Sequence, residues 1–223
     1  MKPLKVLIDL IFQTYSNSAR KLDYEIRKYK RILLITDKLI SLIIILLLAL
    51  IRPDTLVMTV YFLIYPYLLL TDRKKALHHL ILASLISLLW MLIANEQYGY
   101  NKRMLKVFGL NAFPLFAWAA GLFGIYLLYA HWEHLFKPKS LLNKILLFLA
   151  LYWPVLILVE TLGYHVFNIK NLAAAQYSGL PICDCLHAPF WMKISYFTLG
   201  PIYFLACQLL GLENPHYIKK HKK

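Results

Sequence analysis

The segment ILLFLALYWPVLILVETLGY, residues 145–164, is the stretch whose reading decides the fold. Its apolar run is uncharged until Glu160, and about 20 such residues are what an α-helix needs to cross a hydrocarbon core. It closes on Glu160-Thr-Leu-Gly163-Tyr164. The same spelling, Glu96-Gln-Tyr-Gly99-Tyr100, closes an earlier apolar run. A carboxylate at the end of a membrane helix is costly to place. Two of them in one sequence context suggest a duplicated helix pair with acids facing one site.

Working outward from this segment, six apolar runs appear near 32–51, 55–71, 79–95, 109–130, 145–164 and 190–212. They predict an all-α, polytopic membrane helical bundle of about six spans over residues 32–212. The second run is short and carries Pro66, which predicts a bend or tilt. Residues 1–31 read as a basic amphipathic interfacial helix, with Leu4, Leu7, Ile8, Ile11 and Phe12 at helical spacing; a mobile basic arm is the alternative beyond Tyr15. Residues 213–223 read as a basic tail on anionic headgroups.

Composition excludes an ordinary soluble domain. Of the 223 residues, 60% are hydrophobic and 16% charged, against about 25% charged in a typical soluble chain. The net charge of +14 concentrates on alternate flanks of the apolar runs. With the N-terminus inside, 18 Lys/Arg fall on the inner side and 5 on the outer side. The positive-inside rule then predicts a multi-pass protein of the cell membrane with both termini cytoplasmic. The partners implied are membrane lipids, anionic headgroups at the basic face and a hydrophobic small molecule. No nucleic-acid fingerprint accompanies the charge. The first thirty residues lack the apolar core of a signal peptide.

Polar residues collect toward the outer side: Asn95, Glu96, Asn111, Glu160, His165, Asp184, His187 and Lys193. Burial favours the proton-bearing form of a carboxylic acid. Such an acid in an apolar pocket is what a proton-initiated reaction on an alkene needs. Glu160 or Asp184 is the candidate general acid and Glu96 the base or cation stabiliser, with His165 and Lys193 beside them. The structural alternative is a Glu160–Lys193 pair that fixes two helices together. Aromatic residues among the later spans, including Phe113, Phe116, Trp118, Tyr152, Trp153, Tyr196 and Tyr203, suit cation stabilisation and ordinary helix packing equally.

Between the last two runs lies Gly179-Leu-Pro-Ile-Cys183-Asp184-Cys185-Leu-His187-Ala-Pro189. It reads as a re-entrant loop or surface turn. Cys183, Cys185 and His187 alternate and would share a side in extended chain. A metal site, a Cys183–Cys185 disulfide and simple packing of free cysteines all remain open. His131-Trp-Glu-His134 puts two histidines on one helix face, but lacks the His-Glu-x-x-His order and reads as an interfacial helix end. No cofactor-binding motif is present.

The second copy, an acid followed by Gly179-Leu-Pro181-Ile-Cys-Asp184 and an aromatic helix, resembles the integral-membrane carotenoid enzymes of the lycopene cyclase domain. More distantly it is similar to the carotenoid hydratases. The likeness covers residues 90–212. It implies a duplicated helical domain and acid-initiated chemistry on an isoprenoid. Where that family carries paired acids after proline, this chain offers only Asp184, and Asn111-Ala-Phe-Pro114-Leu in the first copy has none. The resulting expectation is a membrane enzyme acting on an isoprenoid or other lipid through intramembrane carboxylates. A non-catalytic complex subunit or a small proton-coupled transporter is the alternative.

Overall fold

The computed structural model describes residues 35–36, 38–212 and 214–215. The amphipathic segment expected over 1–31 lies outside them, as does the basic tail apart from Asn214 and Pro215. The chain divides into two units, Met1–Leu47 and Leu48–Lys223. In the first, the described residues are helical and present exposed Leu and Ile side chains; from Lys38 onward they belong to α1 (Lys38–Ile51).

The second unit is built on five long helices: α2 (Pro53–Leu70), α3 (Lys74–Ala94), α4 (Ala112–Phe136), α5 (Leu141–Thr161) and α6 (Phe190–Leu209). Each starts where its sequence allows. Pro53 occupies the first turn of α2, where a missing N–H costs nothing. The Asn111 and Ser140 side chains cap α4 and α5 by accepting from the Phe113 and Asn143 amides. Lys137 ends α4 in the left-handed conformation, φ 48°. Pro66, Pro154 and Pro201 lie inside helices, and each removes one backbone hydrogen bond.

Among the described residues, four stretches are long and apolar enough to cross a membrane: Pro53–Leu70, Lys74–Gln97, Ala112–Phe136 and Leu141–Val166. Their outer faces leave large aliphatic side chains uncovered, with Leu70 87% and Ile93 73% exposed. An apolar surface of this extent marks contact with lipid or another protein rather than with water.

α4 is the centre of the unit. α2, α3 and α5 pack against it, and α6 packs on α3 and α5. The core is unusually aromatic: Tyr126, Tyr129, Phe148, Tyr203 and Phe204 are buried and meet edge to face or tilted, the arrangement that ring quadrupoles favour. Cys207 is buried among them, its thiol 3.4 Å from the His79 ring.

The segments joining the helices at one end are tied together by polar contacts. Asp54, fully buried, takes a two-point grip from Arg52 at 3.0 and 3.1 Å and accepts from the Leu105 amide at 2.8 Å. A short antiparallel hairpin, β1 (Lys106–Val107) and β2 (Leu110–Asn111), turns at Phe108 (φ 52°) and Gly109 (φ 81°), the positive-φ pair a two-residue hairpin requires. Phe108 stands at its tip, fully exposed. At the opposite end, Glu133 is buried between Lys144 at 2.8 Å and Asn214 at 2.6 Å. The His131–His134 turn therefore lies on a helix end held by an ion pair.

The two Glu-x-x-Gly-Tyr copies take different local structures. The first closes α3 through a 3-10 turn, Asn95–Gln97; the second continues α5 as a π-turn, Leu162–Val166. The end of the first copy binds the chain that follows the second. The Gly99 amide donates to Asn171 Oδ1, the Asn171 side chain donates to the Gln97 carbonyl, and Asn101 and Lys170 exchange hydrogen bonds at 2.9 Å. Lys102 adds bonds to the Leu50 and Phe167 carbonyls.

Candidate functional site

The first copy delivers Tyr98 to a buried position at the end of α3. Its hydroxyl receives the indole N–H of Trp90 at 2.9 Å and of Trp118 at 3.1 Å, and lies 2.8 Å from the Tyr196 hydroxyl. Indole nitrogens only donate, and a phenol oxygen has two acceptor lone pairs. Both lone pairs of Tyr98 are therefore taken, so Tyr98 donates its own proton to Tyr196. That ordering leaves the Tyr196 proton pointing onward, with no protein acceptor among the described residues. Three helices, α3, α4 and α6, meet at this oxygen.

Around this hub stand further rings. Trp191 approaches Trp90 at 5.9 Å, Tyr100 stacks on Tyr98 at 6.1 Å, and Phe113 meets Tyr100 edge-on at 5.4 Å. Tyr152 donates its hydroxyl to the Tyr196 carbonyl, joining α5 to the cluster.

Glu160 is the acid of this cluster. It is half-buried near the end of α5 and makes no hydrogen bond or ion pair among the described residues. Its charge reaches Tyr98, Tyr100, Tyr152 and Tyr196. Burial pushes the Tyr98 phenol well up, partly opposed by its three hydrogen bonds, and the Glu160 charge pushes it further. Tyr100 moves the same way, for burial first and then for the neighbouring Tyr98 and Glu160. Both phenols stay protonated in neutral solution. Along α5, Leu149, Trp153, Pro154, Ile157 and Leu158 line an open apolar groove of about 530 Å³ that ends at Thr161, next to Glu160.

The other residues expected to act are distributed differently. Glu96 is exposed and makes no hydrogen bond or ion pair among the described residues. Lys193 turns away from Glu160 and donates to the Ser178 carbonyl, so the Glu160–Lys193 pair offered as the structural alternative is not formed. His165 donates from Nε2 to the Cys183 carbonyl at 2.7 Å. Asp184, largely exposed, lies 3.5 Å from His187 Nε2. His187 also donates to the Tyr177 carbonyl and stacks on Tyr164 at 5.0 Å.

Of the three states left open for Cys183 and Cys185, the structure has the disulfide. Two sulfurs bonded to each other are not thiolate ligands, and the metal reading for Cys183, Cys185 and His187 loses its donors. No group of three or more His, Cys, Asp or Glu able to hold a metal occurs among the described residues.

The hub residue itself, Tyr98, escaped the sequence reading. Its signal was the mismatch inside the repeat: Tyr98 stands where the second copy has Leu162. A polar ring on one copy only is what a site built from one copy would leave in the sequence.

Compared with family models, with curated proteins and with solved structures, the chain matches none of them. The function therefore rests on the site.

Proposed function

We propose that this protein is an integral membrane enzyme that acts on an isoprenoid or another lipid by acid/base chemistry, with Glu160 as the acid. The observation that carries the reading is Glu160 itself: a half-buried carboxyl group without a hydrogen-bond or ion-pair partner among the described residues, within electrostatic reach of Tyr98, Tyr100, Tyr152 and Tyr196. An ionisable group in a membrane helix with no structural partner is a functional candidate by default.

The chemistry follows from the surroundings. The groove along α5 is lined by apolar side chains and suits a hydrocarbon tail lying in the bilayer. Protonated Glu160 transfers its proton to an alkene carbon of the substrate, which leaves a carboxylate and a carbocation. Rings of the Tyr98 cluster stabilise the cation by cation–π attraction. The carboxylate then recovers a proton from an adjacent carbon, or water adds to the cation. The first course isomerises the substrate, or cyclises it where a second alkene of the substrate closes onto the cation before the proton is lost. The second hydrates it, and the extra proton of the added water passes to the Glu160 carboxylate. The free Tyr196 proton suits an oxygen of the substrate or of the water. Carotenoid cyclase- or hydratase-like chemistry is the version suggested by the resemblance over residues 90–212. The pattern Glu160 followed by Asp184 carries that likeness, although Asp184 lies in the exposed loop.

In this reading α1 and α6 cross the bilayer with α2, α3, α4 and α5, giving six spans. Both termini then lie in the cytoplasm, as the 18 to 5 division of basic residues favours.

The test compares lipid extracts from cells expressing the wild type, Glu160→Gln and Tyr196→Phe at equal membrane levels. A prenyl or polyene product that disappears in Glu160→Gln supports the enzyme. Identical profiles in all three, together with co-purification in a fixed complex, favour a non-catalytic subunit. Proton-coupled uptake lost in Glu160→Gln favours transport.

A further inference from the structure

The loop between α5 and α6 carries a second chemistry that the lipid reading does not use. Its disulfide joins Cys183 to Cys185 across the single residue Asp184. The stabilisation a disulfide draws from chain entropy grows with the length of the loop it closes, so this one gains almost none. Nor does the turn need it. Leu180 already donates to the Cys185 carbonyl at 2.8 Å, and the Asp184 and Cys183 amides both donate back to the Leu180 carbonyl. The bridge instead accompanies a conformation that L-residues resist: Asp184 has φ 44° and Leu186 φ 53°. A bridge that adds little stability and accompanies unfavourable backbone is placed for its reactivity.

The two sulfurs are not equivalent. Cys183 is part-exposed, between the strongly exposed Ile182 and Asp184, whereas Cys185 is fully buried. Behind Cys185 stands Thr161, its hydroxyl 3.7 Å from Cys185 Sγ and donating to the Ile157 carbonyl at 2.6 Å. One hydroxyl proton serves one acceptor at a time. A thiolate formed at Cys185 is the stronger acceptor and would draw that proton from the carbonyl.

We propose that Cys183–Cys185 is a thiol-exchange site that takes electrons from an external dithiol, with Cys183 the attacked sulfur and Cys185 the leaving group. A thiolate of the dithiol attacks Cys183 Sγ. The new S–S bond forms as the Cys183–Cys185 bond breaks, and its electron pair goes to Cys185 Sγ. There the thiolate accepts the Thr161 hydroxyl and then a proton from water. The second thiol of the reductant, deprotonated to water, attacks its own mixed disulfide and releases Cys183 as a thiolate, which takes a proton from water. One dithiol is oxidised to its disulfide, and one chain gains two thiols. Thr161 is a positioning residue here. Its neighbour Glu160 takes no part; Thr161 also closes the α5 groove, and thiol mapping reads the exchange independently of any lipid turnover.

The experiment uses the full chain, purified oxidised in detergent. It is exposed to reduced glutathione as the probe, quenched with acid and alkylated, and its peptides are assigned by mass. Mapping by peptide separates both residues from buried Cys207 without altering it. Glutathione is expected on Cys183 over Cys185 by at least about tenfold, with the alkyl group on Cys185. Dithiothreitol should yield one equivalent of its oxidised form per chain while the helical circular dichroism stays unchanged. Thr161→Val should slow the exchange by about tenfold at unaltered helicity, and Thr161→Ser should restore it. The proposal is overturned if the bridge resists reduction until the protein unfolds. Glutathione on Cys185 in preference, or both cysteines already alkylated before any reductant is added, overturns it equally.

Discussion

The ring of Tyr152 lies flat against the α-carbon of Gly200, so that a β-carbon added there would stand 2.5 Å from Tyr152 Cζ. Glycine is required at this point of α6 because α5 brings an aromatic ring, not a flexible chain, into the space. The same tyrosine donates to the Tyr196 carbonyl one helical turn earlier. The contact is what fixes α6, and with it Tyr196, against α5.

Gly200→Ala should destabilise the protein by about 1–3 kcal/mol, the usual cost of overpacking a closed contact. Thermal unfolding in detergent, followed by tryptophan fluorescence, reads the shift. Combining it with Tyr152→Leu should cost less than the sum of the single changes, because the leucine vacates the space the new methyl needs. Strict additivity would show that the two residues do not meet.

The two glycines of the repeated phrase should behave oppositely. A β-carbon at Gly99 meets the Ala173 β-carbon at 3.1 Å, whereas at Gly163 it meets nothing within 4 Å. Ala173 is held in place by its own amide bonding to the Gly99 carbonyl. Gly99→Ala should lose about 1–2 kcal/mol. Gly163→Ala, in a helical turn, should be neutral or gain about 0.5 kcal/mol. Equal effects in the unfolding assay would mean that the two copies occupy equivalent environments.

The Arg52–Asp54 pair should be asymmetric to mutation. Asp54 is fully buried, while the Arg52 side chain is 43% exposed. Removing the arginine leaves the buried carboxylate with backbone amide partners alone, so Arg52→Ala should lower the melting temperature more than Asp54→Asn does. Asp54→Asn leaves a guanidinium that water can reach and keeps an acceptor for the Leu105 amide, so about 1–2 kcal/mol is expected. The order of the two melting temperatures is the measurement.

Alkaline pH should weaken the fold through Tyr98 and Tyr100. Burial holds both phenols above their ordinary range, with the Glu160 charge adding to each. Between the unfolded value, about 10, and the raised folded value, only the unfolded chain gives up the proton. Stability is therefore complete below about pH 10 and falls as pH rises beyond it. Tyr100→Phe should flatten the decline in melting temperature between about pH 10 and pH 11. An unchanged slope would put Tyr100 in contact with solvent.

Much of the helical organisation was legible from residue types alone. The long apolar runs set where helices lie, because a backbone amid lipid must satisfy its hydrogen bonds within itself. The runs at 55–71, 79–95, 109–130, 145–164 and 190–212 lie within a few residues of α2 through α6. Pro53 opens α2, and the Asn111 and Ser140 side chains cap α4 and α5. Among the described residues, apolar length and composition pick out four helices capable of crossing, where the pattern of runs over the whole chain predicts six.

The candidate site was legible only in part. Glu160 stood out because a charge is costly at a helix end, and it joins the aromatic cluster. Glu96 carried the same spelling and is exposed, because α3 ends one 3-10 turn earlier than the π-turn that prolongs α5. A repeated phrase does not report which way its acid faces. Tyr98 differs from Leu162 of the second copy, but that mismatch names no partners, since a tyrosine becomes a hub only when Trp90, Trp118 and Tyr196 arrive from three helices.

The sequence by itself determined the helical character, the order of the elements and the cost of placing an acid at residue 160, because these depend on the composition of each segment. Tertiary structure alone decided which polar groups share a space. It left Glu160 without Lys193, closed Cys183 onto Cys185, and turned the Tyr98 hydroxyl into an acceptor from two indoles. The physical reason is that hydrogen bonding and side-chain packing act over a few ångströms between residues up to 98 positions apart, as Tyr98 and Tyr196 are, and no local pattern encodes that approach.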